Sequence, residues 1–464
     1  MSNPSAIRDE SPALLATAVI LGVLATSFAS IFINIGLPLL NEEFSVTASK
    51  SHWLVSIFIS TSTLSLLLTA KLISKFSIRH TFTGFLLLFI ATSVLGGFTH
   101  NFTILIFCRA AQGAAMGVLS VVAIISMYQA YPIERRGHAG AVFGFGIAMG
   151  PTLGPTLAGI IVEYWGWRSV FFAPLPLAVV SLFLSNKILP DESFANDKSF
   201  DKIGFALLSI TMLGAMSGLS YLQLSGWPLV QTLAIGGLIT GLFIAFCRQQ
   251  KNHLNPLLEI SLFKYPVFAA ASVISFAYGM GLWGAAFFLP LYLQNAVLMS
   301  AWDTGMVMLP SGLVLCLILP ISGRLADTLA PKLVVTIGLL AFGSALTLIG
   351  LGLGNESFIP LAILIALSRG LGLGMMIPSL DATATRALPS KDLAEGVSVI
   401  NFLRQLGGAF SPTILMLILE WRLTKNKDLP VHDGILHSYH ETFLAIGLLF
   451  LLCLLAARKL PSSQ

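Results

Sequence analysis

Residues 13–40 read ALLATAVILGVLATSFASIFINIGLPLL, 28 positions without one charged side chain. At a rise of about 1.5 Å per residue a helix of that length covers roughly 40 Å, more than the roughly 30 Å hydrocarbon core of a bilayer. Comparable apolar blocks follow at 54–73 and 103–127. The composition carries the same message, since 56% of the 464 residues are hydrophobic and 10% are charged. A soluble domain carries roughly 25% charged residues, and its exterior must remain largely polar. The fold class expected is an all-α polytopic membrane protein.

Outward from that first block, polar punctuation divides the chain into fourteen expected spans. They lie near 13–40, 54–73, 81–98, 103–128, 140–161, 169–186, 203–223, 229–247, 267–293, 303–321, 333–353, 358–378, 396–418 and 441–457. An even number puts both termini on one side, and charge says which. Eighteen of the 26 basic residues fall in segments on the N-terminal side, and five fall in the opposite loops. The positive-inside rule therefore places both termini in the cytosol. The other three, Arg109, Arg369 and Arg404, sit inside spans. The net charge of +5 comes from topology-setting loops, which makes nucleic acid a poor partner; the lipid bilayer is the expected one.

No cleavable signal peptide is expected, because the first block is too long for a signal core and Asn41-Glu42-Glu43 follows it. Cys108, Cys247, Cys316 and Cys453 all lie in apolar blocks and read as small buried hydrophobes. His432, His437 and His440 read as exposed histidines of the longest outer loop, with no metal site expected. No Gly-Lys-Ser/Thr phosphate loop and no nucleophile–base constellation stands out, so neither ATP-driven transport nor catalysis is indicated. Residues 190–202, with four acids and two lysines, read as a solvated linker.

The two ends of the chain echo each other. Gly36-Leu37-Pro38-Leu39 answers Phe288-Leu289-Pro290-Leu291, and Ala70-Lys71-Leu72-Ile73-Ser74 answers Gly323-Arg324-Leu325-Ala326-Asp327. Arg109 answers Arg369, and Gly154-Pro155-Thr156-Leu157 answers Ser411-Pro412-Thr413-Ile414. All four pairs are offset by close to 255 positions, roughly constant along the chain. Such duplication is the sequence trace of alternating access, in which one half rocks against the other. The expected organisation is a six-helix half at 1–187, a linker with an inserted hairpin at 188–266, and a second six-helix half at 267–464.

Several motifs resemble those of the fourteen-helix drug:proton antiporters of the major facilitator superfamily, a resemblance running from about residue 12 to the end. Gly150-Pro151-Thr152-Leu153-Gly154-Pro155-Thr156-Leu157-Ala158-Gly159 is similar to the antiporter motif, which in that family seals the interior and marks exporters. Arg109-Ala110-Ala111-Gln112-Gly113 is similar to the buried-arginine motif associated with proton coupling. Gly323-Arg324-Leu325-Ala326-Asp327, between spans 10 and 11, is similar to the gating loop, and Lys71, Lys75 and Arg79 keep the charge of its counterpart. Trp53, the run Trp165-Gly166-Trp167-Arg168, Tyr292, and Asn401 with Arg404 have counterparts too, the tryptophans reading mainly as interface anchors.

The pattern departs from the family in its acids. The usual span-1 aspartate position is Ala29, Ser74 stands for the first gating aspartate, and Ala70 and Ser77 stand for glycines. None of the 21 acids falls clearly mid-span, leaving the helix-end residues Asp381 and Glu395 as candidate proton carriers. Without a buried acid, neutral or anionic substrates are expected.

The resemblance thus implies a secondary transporter exporting small amphipathic compounds by proton antiport from the cytoplasmic membrane, with the proton gradient as energy source and no cofactor. The expected pathway residues are Asn34, Arg109, Gln112, Tyr292, Asn401 and Arg404. Helix packing and gating fall to Gly150, Pro151, Gly154, Pro155, Gly159, Gly323, Arg324 and Asp327. The alternatives are a dedicated exporter of one metabolite or siderophore, and a membrane enzyme or sensor without transport. No residue pattern marks an adaptor protein.

Overall fold

A computed structural model describes residues 12–130, 136–191, 200–224, 229–253, 255–353, 358–386, 388 and 393–462. Regular structure among them is helical throughout. The first group comprises α1 (Pro12–Phe44), α2 (Ala48–Phe98), α3 (Phe102–Ala130), α4 (Arg136–Trp165), α5 (Ser169–Phe172) and α6 (Leu175–Ile188). A hairpin of α7 (Lys202–Leu224) and α8 (Leu229–Asn252) follows. The second group begins with α9 (Pro266–Asn295), α10 (Ala301–Thr328), α11 (Pro331–Gly350) and α12 (Phe358–Ile365). It continues through a π-helical stretch (Ala366–Leu373), α13 (Gly374–Arg386), α14 (Leu393–Lys425), α15 (Val431–Leu452) and α16 (Leu454–Ala457).

Thirteen described helical segments are long and apolar enough to cross a membrane. α2 supplies two of them, Lys50–Thr69 and Lys71–Phe98, while α12, the π stretch and α13 run together as Phe358–Asp381. α4, 30 residues long, occupies the fifth expected span. Helix is the outcome because a bilayer offers no partner for a backbone N–H or C=O, so each must be satisfied within its own segment. Side-chain hydroxyls obey the same pressure: in α2, Ser60, Thr63 and Thr69 each donate to the carbonyl four residues back, at 2.7–2.9 Å.

Three stretches expected as loops are helical. The stretch 74–80 lies within α2, as two helices that abut at Ser77, whose own backbone (φ 69°, ψ 168°) is not helical. Gly323 and Arg324 lie in the last turns of α10. His432 to Glu441 opens α15, so the loop reading is overturned for all three histidines; His432 and His437 are exposed there as expected, and His440 is buried. His52, also expected outside the spans, is fully buried in α2. Charged or polar residues end an apolar run, but they do not end a helix that continues into water or against protein.

Within the first group α2 packs on α3, and α1 on α4 and α6; within the second, α14 packs on α9 and α11 on α15. The groups meet where α4 crosses α10, α2 crosses α14, and α1 faces α9. α7 packs on α8 and touches α2 and α14, while most α8 side chains are uncovered by protein, as suits a helix facing lipid. Asp201 ties the hairpin down. Its buried carboxylate accepts from the Gly204 amide at 2.8 Å and from Gln249 and Gln250 at 2.7 Å each.

Candidate functional site

Arg109 sits two turns into α3 and is 1% exposed. A guanidinium at membrane depth costs on the order of 3 kcal/mol or more unless it is partnered. Here its Nε donates to the Leu54 carbonyl at 3.1 Å, and Nη1 donates to the Ala29 carbonyl at 3.1 Å and to Gln112 Oε1 at 2.9 Å. Gln112 in turn donates to Ser93 at 2.8 Å, and the guanidinium lies 4.2 Å from the Phe58 ring centre. The arginine therefore reaches the very residue where the family carries an acid, and takes its backbone oxygen instead. Asn34, further along α1, is buried with its Oδ1 unpartnered.

In the second group Arg404 of α14 pairs with Asp381 of α13 in a close salt bridge and donates to Asn401 at 3.2 Å. The Arg404 side chain is 15% exposed and that of Asp381 44%, so the pair is buried on its cationic side and open on its acidic side. Gly279 of α9 permits this placement, because a Cβ there would lie 1.7 Å from the Arg404 carbonyl oxygen. The structure thus unites three sequence-expected residues and adds Tyr278, whose ring centre is 5.6 Å from the Arg404 guanidinium. The Glu395 side chain lies outside the described residues. Tyr292 stands apart from this cluster: it is fully buried, its hydroxyl 3.4 Å from His440 Nε2 and its ring edge-on to Phe443.

The glycines of the α4 motif divide their work. A Cβ on Gly150 would meet Ser27, and one on Gly154 would meet Ile31, both on α1. Gly159 instead faces the second group, where a Cβ would lie 2.5 Å from the Ala301 carbonyl of α10. Around that contact Thr156 donates to the Gly305 carbonyl at 3.1 Å, and the Pro155 carbonyl lies against Gly305. The Pro151 side chain lies outside those described. Further bonds between the groups, Gln294 to the Ile35 carbonyl at 3.2 Å, Ser56 to Thr413 at 3.3 Å and the Trp302 amide to Glu163 at 3.4 Å, fall at the same end. That end carries the connections at 45–47, 166–168, 296–300 and 426–430. Trp167, expected as an interface anchor, is buried there against Phe44 and Phe171 and donates to Glu43, which also pairs with Arg168.

At the opposite end Lys71 and Lys75 are exposed, while Arg79 Nε donates to the Leu189 carbonyl at 2.6 Å. The acid missing at Ser74 has a substitute. Asp191, just beyond α6, accepts from Ser77 at 2.6 Å and lies 3.1 Å from His80 Nδ1. The Ser77 hydrogen bond, with His80 and Arg79 beside it, holds the Asp191 carboxyl below its ordinary value. The Asp327 side chain lies outside the described residues, and Gly323 has open space where a Cβ would be. Sequence reasoning missed Tyr278, Asp191 and His440. Only Tyr278 left a usable signal, as a polar ring midway along an apolar span.

A sequence profile of the Major Facilitator Superfamily matches residues 19–412. The chain belongs to that superfamily. Among its relatives are the MFS-type transporter YcnB of Bacillus subtilis strain 168, 28% identical over 96% of both chains, and the multidrug transporter protein MdtP of the same organism, 25% identical over 92% of this chain and 80% of that one. The lincomycin resistance protein LmrB of Listeria monocytogenes is 26% identical over 85% and 83%. Among solved structures, a D-xylose–proton symporter superposes with a TM-score of 0.66 at 14% identity, covering 98% of this chain and 99% of its own. A bacterial homologue of the lysosomal transporter Spinster, inward-facing and occupied, gives 0.66 at 12% identity, covering 96% and 95%. These two share the fold. The protein is accordingly a multi-pass transporter of the cytoplasmic membrane and not an enzyme, which sets aside the enzyme and sensor alternatives.

Proposed function

We propose that this major facilitator chain exports small amphipathic compounds by alternating access, as a proton antiporter whose proton-handling group is Asp381. The resistance and multidrug names of LmrB and MdtP support the export of toxic compounds. The observation that carries the coupling is the Asp381–Arg404 salt bridge, half-open to its surroundings on the acidic side. Asp381 can exchange a proton there while Arg404 stays held by the bundle. Protonation of Asp381 removes the partner of a largely buried cation, which changes what the neighbouring helices α13 and α14 can tolerate. That is a differential energy between two arrangements, the requirement for any coupled switch.

The direction of closure supports the same reading. The hydrogen bonds joining the two groups gather at the end that the charge asymmetry puts outside. The arrangement is then closed outward, with Asp381 and Asn401 toward the cytosol.

The test is transport in proteoliposomes under an imposed pH gradient, comparing the wild type with Asp381→Asn. Gradient-driven efflux should fall at least about tenfold, while downhill exchange of labelled substrate persists. Efflux by Asp381→Asn that still follows the pH gradient would remove Asp381 from the coupling.

A further inference from the structure

The two arginines at corresponding places in the two groups are treated very differently. Arg109 makes three hydrogen bonds through Nε and Nη1 and leaves only its Nη2 buried without one. Arg369 is 4% exposed, yet both its Nε and its Nη1 are buried without a hydrogen-bond partner. A buried cation left in that condition is costly, and proteins retain one where a counter-ion arrives from elsewhere. Among the described residues no carboxylate pairs with it: Asp381, on the following helix, is engaged by Arg404.

A second observation falls on the same residue. Arg369 lies inside the π-helical stretch Ala366–Leu373, where the chain abandons α-helical bonding in mid-membrane. Such widened turns cost stability and collect at functional sites. The surroundings are apolar a short way beyond. Phe342 of α11 packs against Gly372, three residues along from Arg369, and also walls a cavity of about 70 Å3 with Gly281, Gly284, Phe288 and Phe443. Gly281 lies one turn along α9 from Tyr278.

We propose that Arg369, in the π-helical stretch that packs on α9, binds an anionic group on the transported compound, so that amphipathic organic anions such as aromatic carboxylates are the favoured substrate class. The cation meets the carboxylate, and the apolar body lies toward Phe342. This rests on the transporter reading but not on proton coupling.

The experiment uses the purified full chain in neutral detergent and chloride-free gluconate buffer. Thermal stabilisation is titrated with 2-naphthoate, its neutral amide, 2-naphthylmethylammonium, and chloride. Naphthoate should bind at least about tenfold more tightly than the amide or the ammonium, since a charge-assisted pair is worth that much. Arg369→Gln should bring naphthoate down to the level of the amide and leave the amide unchanged, with Arg369→Lys intermediate. If Arg369→Gln does not fold, the wild-type ranking of the probes and Arg369→Lys still decide. Equal affinity for naphthoate and amide in the wild type, a chloride effect as large as that of naphthoate, or undiminished naphthoate binding by Arg369→Gln overturns the site. Since no pH gradient is involved, a chain that binds naphthoate yet fails the efflux test keeps this site and loses the antiport mechanism.

Discussion

Gly159→Ala separates closure of the two groups from packing within one of them. A Cβ at Gly159 would lie 2.5 Å from the Ala301 carbonyl oxygen and 3.3 Å from Gly305 Cα. Both are backbone atoms of α10, which cannot swing aside as a flexible side chain would. Overpacking of this kind costs about 1–3 kcal/mol. The cost falls on the arrangement in which α4 and α10 touch and vanishes when the groups part at that end. It therefore shifts the equilibrium toward the outward-open arrangement by about 5- to 150-fold. Gly154→Ala is the control, because its Cβ would meet Ile31 of α1, within the same group, at 2.9 Å; that cost is shared by both arrangements. The assay places a cysteine at Thr413, which is fully buried opposite Ser56, in a chain whose four native cysteines are replaced. Intact cells are then exposed to a membrane-impermeant maleimide. Labelling should accelerate within the range above for Gly159→Ala and not for Gly154→Ala. A normally inserted Gly159→Ala protein that labels at the parental rate refutes the assignment of closure to this contact.

Two further substitutions address the ends of the helices. Ser77 holds a backbone conformation almost reserved for glycine, worth about 1–3 kcal/mol of strain, against about 0.5–1.5 kcal/mol from its bond to Asp191. Melting temperatures in detergent should therefore rank Ser77→Gly above wild type and Ser77→Ala below it, and Ala above Gly would contradict the strain. Asp201→Asn replaces a carboxylate that accepts three hydrogen bonds with a group whose NH2 must face a donor. About 2 kcal/mol of stability should be lost, read as a lower denaturation midpoint; an unchanged midpoint would mean the hairpin is held by other contacts.

The spans were legible because transfer into lipid is a sum over consecutive residues, and a run such as 13–40 cannot be read otherwise. The ends of helices were not, because solvation punishes a charge in lipid but not one in water at the tip of a helix. Gly323 and Arg324 looked like a loop for that reason and are helical. The site was legible in its types and not in its pairings. Asp381 and Arg404 were each marked, one as a helix-end acid and one as an intramembrane base, but only packing of α13 on α14 brings them together. Asp191 was invisible as the acid beside Ser77, because the two are separated by 114 positions and the sequence around each reads as an ordinary solvated segment.

The missing acid of α1 and the unmatched cation of the second group have one consequence. Where the family carries a carboxylate, Arg109 uses the Ala29 carbonyl, and a backbone oxygen neither gains nor loses a proton at physiological pH. The partner of Arg109 is thereby fixed in charge. The two proposed ligand sites both lie in the second group: Asp381 for the proton and Arg369 for the anion. Both act on Tyr278. A proton added at Asp381 and an anion added at Arg369 have opposite effects on the net charge of this cluster. Antiport requires that the two not be carried together, so the arrangement of α13 and α14 must keep the doubly loaded state from forming even though its net charge equals that of the empty state. Naphthoate titrations of the wild-type chain and of Asp381→Asn across pH therefore test the antiport reading itself: binding that weakens or is unchanged when the acid is neutralised is the expected outcome, and binding that strengthens, the signature of a proton and an anion carried together, would refute antiport through Asp381.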